Sequence, residues 1–219
     1  MIIYRITETH LCENTYILVK DGYALIIDPG VSADLILREC AKLGAEPLAV
    51  LLTHGHYDHI LGASVLSERG LKIYAHEQET EVLRGRANLA LLFGGSIKEF
   101  PIERGLKEDE VLLIPPFSVK VLYTPGHTQG SVCYYIEGAV FTGDTLFAGS
   151  YGRTDFPTGD EQDLLVSITD VLFDLSPETP VYAGHAGAYP PDLAVKAVEA
   201  SPDTTIGKEY STNPILDLL

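Results

Sequence analysis

Polar and apolar positions over the first thirty residues alternate in short β-type runs at 2–5, 15–20 and 23–28, with Asp21-Gly22 as a hairpin signal between the last two. Past Asp28-Pro29-Gly30 the period lengthens. Ile36, Cys40 and Leu43 recur at helical spacing, with Ser32 placed to cap and Gly44 to stop a helix over about 33–43. The run 48–52 is continuously apolar, as a strand buried on both faces would be, and it delivers residues 53–59 into a polar loop. A second round follows, with a helix near 59–69, a strand at 72–75 and less regular structure over 77–104. Strands return at 111–114, 118–123, 132–136 and 139–142. Leu164, Leu165, Ile168, Val171 and Leu172 mark an amphipathic helix with an acidic first turn, 180–183 reads as a last strand, and 193–200 as a further helix capped by Asp192. No repeat, low-complexity segment or Ser/Gly linker interrupts the pattern. The expectation is a single domain over 1–219, of α+β class, with two sheets face to face and helices outside.

Composition acts by exclusion. With 46% hydrophobic and 21% charged residues in 219, the chain is an ordinary globular sequence. Its 15 basic against 31 acidic residues, net charge −16, oppose a phosphate backbone, so no nucleic-acid partner is expected. No apolar run approaches the roughly 18 to 20 residues that span a bilayer, and residues 1–10 lack the pattern of a signal peptide. The expected setting is the cytoplasm, with no membrane partner and an oligomeric state the sequence leaves open. Cys12, Cys40 and Cys133 are odd in number and widely spaced, which argues for structural thiols over a disulfide framework or a cysteine zinc site.

Candidate chemistry concentrates in Thr53-His54-Gly55-His56-Tyr57-Asp58-His59, which puts four metal-ligand side chains within six residues at the end of a buried strand. A histidine pair at i, i+2 can face one side of an extended segment, and a helix start just beyond can aim Asp58 and His59 at a second position. Similar settings recur at His127, Asp144 and His185, each past a β-run and next to glycine. A lone histidine after glycine is ordinarily a turn or cap residue. Five histidines and two aspartates together suit two borderline metals such as zinc, iron or manganese. His10 and His76 have no ligand-type neighbour at short spacing and fall outside the set.

The H-x-H-x-D-H run followed by His127, Asp144 and His185 resembles the metallo-β-lactamase superfamily. Asp28-Pro29-Gly30, Thr124-Pro125-Gly126-His127-Thr128, Gly143-Asp144-Thr145-Leu146-Phe147, Gly152-Arg153-Thr154-Asp155 and Thr204-Thr205-Ile206-Gly207 are similar to its small glyoxalase II-like, hydroxyacylglutathione hydrolase-like, branch. The resemblance covers 14–214. It implies a four-layer αβ/βα sandwich of two mixed β-sheets, with two divalent ions, zinc first and iron or manganese as alternatives. It assigns His54, His56 and His127 to one ion and Asp58, His59 and His185 to the other, with Asp144 bridging. Arg153 stands where such proteins have a basic residue for the substrate's carboxylate end, against the simpler reading of a pair with Asp155. Tyr151 and Phe147 could line the cleft or simply pack. Asp144 stands where β-lactamases have a cysteine ligand, which turns the expectation away from antibiotic hydrolysis. Two departures are visible: no counterpart of the C-terminal helical domain of glyoxalase II before Leu219, and an insertion at about 186–203 where the branch has only a few residues.

The implied chemistry is hydrolysis of a small, glutathione-like thioester by a metal-bridging hydroxide, with Asp58 as catalytic residue orienting that hydroxide and taking its proton. A thiolate leaves readily without a general acid, since an ordinary thiol has a pKa near about 8.5. The competing reading is a mononuclear iron persulfide dioxygenase of the same superfamily, with iron held through His54, His127 and Asp144. A purely structural metal site is disfavoured because such sites are normally closed by four ligands.

Overall fold

In the computed structural model, which describes residues 1–185 and 196–219, each apolar run becomes a strand whose alternate side chains bury into different layers. The first sheet contains β1 (Ile2–Thr7), β2 (Asn14–Lys20), β3 (Tyr23–Ile27), β4 (Glu46–Leu51), β5 (Lys72–His76) and β6 (Arg104–Leu106). Its pairings are antiparallel from β1 to β3 and parallel from β3 to β6. Helices α1 (Ala33–Lys42) and α2 (Ala63–Glu68) supply the parallel crossovers, and α3 (Thr80–Arg84) follows β5. The second sheet holds β7 (Val111–Ile114), β8 (Phe117–Tyr123), β9 (Val132–Ile136) and β10 (Ala139–Gly143). A small hairpin, β11 (Leu146–Phe147) and β12 (Ser150–Tyr151), leads to α4 (Glu161–Val166), which runs on into a wider helical turn over Ser167–Leu172. Then come β13 (Pro180–Ala183), β14 (Val198–Glu199), β15 (Thr204–Thr205) and α5 (Ile206–Thr212). Strand orders are β14-β1-β2-β3-β4-β5-β6 and β15-β13-β10-β9-β8-β7, and β13 is parallel to β10, so both sheets are mixed.

The period of two explains the layers. Tyr16 and Leu18 of β2 and Leu25 and Ile27 of β3 face Val119, Val121, Tyr134 and Phe141 of the other sheet, while Ile17 and Ile26 point the opposite way onto Ile36, Cys40 and Leu66. On the far side Leu122, Cys133 and Val140 meet Leu164, Leu165 and Ile168. Helix, sheet, sheet and helix are therefore stacked as expected from the sequence. Cys40 and Cys133 sit in these cores, where burial pushes their thiols up to about 11 and about 12, as inert structural groups should be.

Two local readings are corrected. Ser32 precedes α1, but its side chain makes no capping bond; its backbone carbonyl takes the N–H groups of Leu35 and Ile36 instead. The helix expected over 193–200 is not formed in its described part: Val198–Glu199 is strand β14, antiparallel to Tyr4 and Arg5 of β1. An open sheet edge offers unpaired N–H and C=O groups, and a helix of under three turns has too little of its own to compete. Residues 193–195, Asp192 and the larger part of the insertion at 186–203 lie outside the described residues. Among the described residues no helix is long and apolar enough to cross a membrane.

Candidate metal centre

Five strands end at one edge of the two sheets, and each end carries a polar group into the same place. Asp28 follows β3, the run 53–59 follows β4, His127 follows β8, Asp144 follows β10 and His185 follows β13. Hydrogen bonds lock the two sheets together here: Val132 N–H donates to the Thr53 carbonyl (2.9 Å), the Tyr134 hydroxyl to Leu52 (2.7 Å) and Asn14 N–H to Gly184 (2.8 Å). Glycine is required at position 184, because a Cβ there would collide with the Asp144 carboxylate. A single helical turn, Tyr57–His59, follows the extended His54 and His56 and brings Asp58 and His59 to His185, with the His59 ring still 4.1 Å from that of His54.

Two ligand groups result, one of His54, His56 and His127 and one of Asp58, His59 and His185, and within each the ligand atoms lie within 4.8 Å of one another. Asp144 stands between them. One of its oxygens is 3.4 Å from His59 Nε2, and the other is 3.5 Å from His127 Nε2 and 3.4 Å from His185 Nε2. All seven residues singled out from the sequence therefore converge. Among the described residues, the buried side-chain atoms without a hydrogen-bond partner include His54 Nε2 and Asp144 Oδ1. A bare nitrogen lone pair and a bare carboxylate oxygen in one desolvated cluster are costly unless they hold a cation, so the residues fit divalent metal.

The protein also fixes which nitrogen four of the five rings present, all but that of His56. His127 Nδ1–H donates to the Arg153 carbonyl (2.7 Å) and His185 Nδ1–H to the Leu11 carbonyl (2.8 Å), leaving the Nε2 lone pairs to face the cluster. His59 Nδ1 lies 3.1 Å from Asp28 Oδ2 and takes the same tautomer. Thr53 Oγ1 donates to Asp28 (2.6 Å), so it can only accept from His54 Nδ1 at 3.1 Å. Burial, with the neighbouring rings, holds His54 and His56 well below the ordinary imidazole value, and burial lowers His127 as well; these are neutral rings ready to ligate. Burial works against charge on Asp144, His59 and His185, but Asp144 lifts His59 and His185 above the ordinary imidazole value and they hold its carboxyl well below its usual range, so these two rings carry an Nε2 proton that a binding metal must displace.

With the geometry in place the comparisons decide the family, since a model for the metallo-beta-lactamase superfamily matches residues 13–185. The chain belongs to that superfamily. It is 35% identical to the hydroxyacylglutathione hydrolase GloC of Haemophilus influenzae over 200 residues, 89% of this chain and 87% of the relative. Among solved structures it is similar to the BLEG-1 B3 metallo-beta-lactamase, at TM-score 0.83 and 34% identity over 98% of this chain and 99% of that one. The di-iron-bound form of TTHA1623 matches at TM-score 0.78 and 34% identity, covering 96% and 98%. The superfamily fold, metal-dependent hydrolase chemistry and a His/Asp cluster for divalent ions are thus common ground.

Two residues of this superfamily member escaped the sequence reading. Asp28, seen only as part of a turn, accepts from Thr53 N–H (2.7 Å), Thr53 Oγ1–H and His59 Nδ1–H. Although it lies within ligand distance of His54 and His59, both its oxygens are taken, so it positions ligands and is not one. Its sequence signal was the same as that of the ligands, an acid just past a buried strand. Glu79 had no signal, since Glu77-Gln78-Glu79 reads as a polar loop. It is fully buried beneath both ligand loops, accepting from Gly55 N–H (2.7 Å) and Thr128 Oγ1 (2.9 Å), and burial lifts its carboxyl to about 7 against those bonds. Arg153 is turned outward: its Nε and Nη2 fork onto Asp155 at 2.6 Å each, and the guanidinium lies 4.0 Å above the Phe156 ring. His76 is spoken for, stacked on Tyr123 with its Nδ1 accepting from Gln78 N–H. Phe147 lies edge-on to His185 at 6.2 Å.

Proposed function

We propose that the chain is a binuclear hydrolase of small, glutathione-like thioesters acting in the cytoplasm. His54, His56 and His127 hold one ion, Asp58, His59 and His185 the other, and Asp144 bridges; zinc is the first candidate, with iron or manganese as alternatives. The observation that carries the reading is Asp144, whose carboxylate reaches both ligand groups, one oxygen facing His59 and the other facing His127 and His185 together. When bound, such an ion pair supplies hydroxide at neutral pH and an electrophile for the substrate carbonyl. The chain's part is to hold the rings in their ligating tautomers and to offer Asp58, 3.5 Å from His185 Nε2, as the acceptor for the proton released by the attacking water. No general acid is needed for a thiolate leaving group. The 35% identity to GloC supports the thioester class. The similarity to BLEG-1 supports a second reading, β-lactam hydrolysis, which the sequence alone did not favour.

The test is metal content per chain after chelator-free purification, read beside free-thiol release from S-lactoylglutathione. Two ions and thiol release are expected. One iron with oxygen uptake on glutathione persulfide would move the chain to the dioxygenases, and cleavage of a chromogenic cephalosporin without thioester cleavage would favour the lactamase reading. Asp58→Asn should lower kcat by about 10² to 10⁴ even where added metal refills the position it shares with His59 and His185, because an amide cannot take the proton. Unchanged kcat removes Asp58 from that role. Arg153→Ala should raise KM about tenfold for a carboxylate-bearing thioester and hardly alter a neutral one, as loss of one charge-assisted contact predicts. Equal losses on both substrates would leave Arg153 as the holder of the Asp155 loop.

A further inference from the structure

The two sides of the metal centre differ in chemistry. On the His127 side stand Arg153 and Phe156, whereas on the Asp58 side a cavity of about 320 Å³ is lined by Glu8, His10, Leu11, Tyr57, Asp58, Leu61 and Phe93. That volume lies at the lower end of the roughly 300–1,000 Å³ typical of small-molecule sites. One of its polar groups is committed. The Glu8 carboxylate accepts the N–H groups of His10 and Leu11 at 2.7 Å each, which folds the loop between β1 and β2 into one wall. His10 is exposed at the surface, and Asp58 marks the reacting end. Beside the His10 ring and the Tyr57 hydroxyl the lining is apolar: Leu11, Leu61 and Phe93 keep 37%, 38% and 47% exposure around the cavity. Large apolar side chains left in water around a concave site are a ligand's complement, not a core.

The walls are also held in place by the centre itself. Phe93 stacks on Tyr57 with ring centroids 5.8 Å apart and planes at 15°, and Tyr57 is next to Asp58. The Leu11 carbonyl is the group that orients His185. An apolar chain in this cavity would therefore start at the ligand loop and lie against residues already fixed by it.

We infer that the Asp58-side cavity is the acyl subsite and that it selects longer saturated acyl chains over short ones, with the thiol carrier directed toward Arg153. This rests on the hydrolase reading for its chemistry but not for its binding. Each added methylene would leave water for contact with Leu11, Leu61 and Phe93, a gain that an acetyl group is too short to make.

The experiment uses the metal-loaded full chain and two probe series on one carrier: acetyl, butyryl, hexanoyl and lactoyl thioesters of N-acetylcysteamine, and the unreactive S-methyl and S-hexyl thioethers. Burying a methylene is worth about fourfold, so kcat/KM should rise about 15-fold from butyryl to hexanoyl, with acetyl the poorest of the saturated series. Phe93→Ser and Leu61→Ser should each cut the hexanoyl-to-acetyl ratio by roughly five- to tenfold. Leu113→Ser, which alters a leucine 69% exposed on β7, should keep the ratio. By calorimetry S-hexyl should bind more tightly than S-methyl, and Phe93→Ser should narrow the difference by roughly the same five- to tenfold. If thioesters are not cleaved but the hexyl preference and its roughly five- to tenfold reduction in Phe93→Ser are seen, the hydrolase reading fails and the subsite stands. A flat chain-length series in turnover and in binding overturns the subsite, whether or not thioesters are cleaved.

Discussion

Asp144→Asn is expected to purify with fewer than two ions per chain and to lose thioester hydrolysis by about 10³-fold or more. The carboxylate is shared: one oxygen faces His59 and the other faces His127 and His185, at 3.4 to 3.5 Å. An asparagine can present its oxygen to one set only, and its NH₂ then points donor hydrogens at ring nitrogens whose lone pairs are already aimed inward by the Arg153 and Leu11 carbonyls. The bridge also contributes a negative charge between two dications, and a loss of several kcal/mol of that stabilisation is about 10³ in rate. His76→Ala, in a histidine stacked on Tyr123 and away from the cluster, should keep both ions and most of the turnover. Two ions and near-normal turnover in Asp144→Asn would falsify the binuclear assignment.

Much of this arrangement could be read from the chain because the strands are short and doubly buried, so that apolar runs end sharply and the next polar residue falls at a sheet edge. That is why His54, His127, Asp144 and His185 stood out, each one to four residues past a strand. Glycine at 55, 126, 143 and 184 reinforced the signal, and at 184 and 143 the reason is now physical, since a Cβ would meet Asp144 and Thr53. What local pattern could not give were partners far away in sequence. The helical spacing at 193–200 was real, yet the open edge of β1 captured Val198 and Glu199, about two hundred residues distant from it in the chain. Glu79 is a polar residue in a polar stretch whose burial follows only from the meeting of two loops, one carrying Gly55 and the other Thr128. Asp28 was visible as a motif and silent as a role, because its function is defined by His59, thirty-one residues later.

That role makes the second large prediction. Asp28→Asn should weaken metal binding at the His59 position by about 10- to 100-fold, the usual cost of losing a group that orients a metal-binding histidine. The backbone makes this a clean substitution: Asp28 has φ 48°, a left-handed conformation that asparagine tolerates as well as aspartate does. The change is therefore confined to the head group. If the amide oxygen keeps the Thr53 N–H, the NH₂ group faces Thr53 Oγ1 and His59 Nδ1, both of which now donate to Oδ2. The threonine hydroxyl can rotate and accept. His59 has no such freedom, because its ring is fully buried, so the proton must move from Nδ1 to Nε2. Nε2–H then points at Asp144 and His185 and has no lone pair to give a metal. A catalytic histidine whose aspartate is replaced by asparagine fails for the same reason, the wrong tautomer held in the right place. Metal titration followed by turnover should show one tight and one weakened ion, with activity recovered in part at high metal concentration. If both ions bind as tightly as in the parent protein, Asp28 supports the Thr53 backbone and does not set the tautomer of His59.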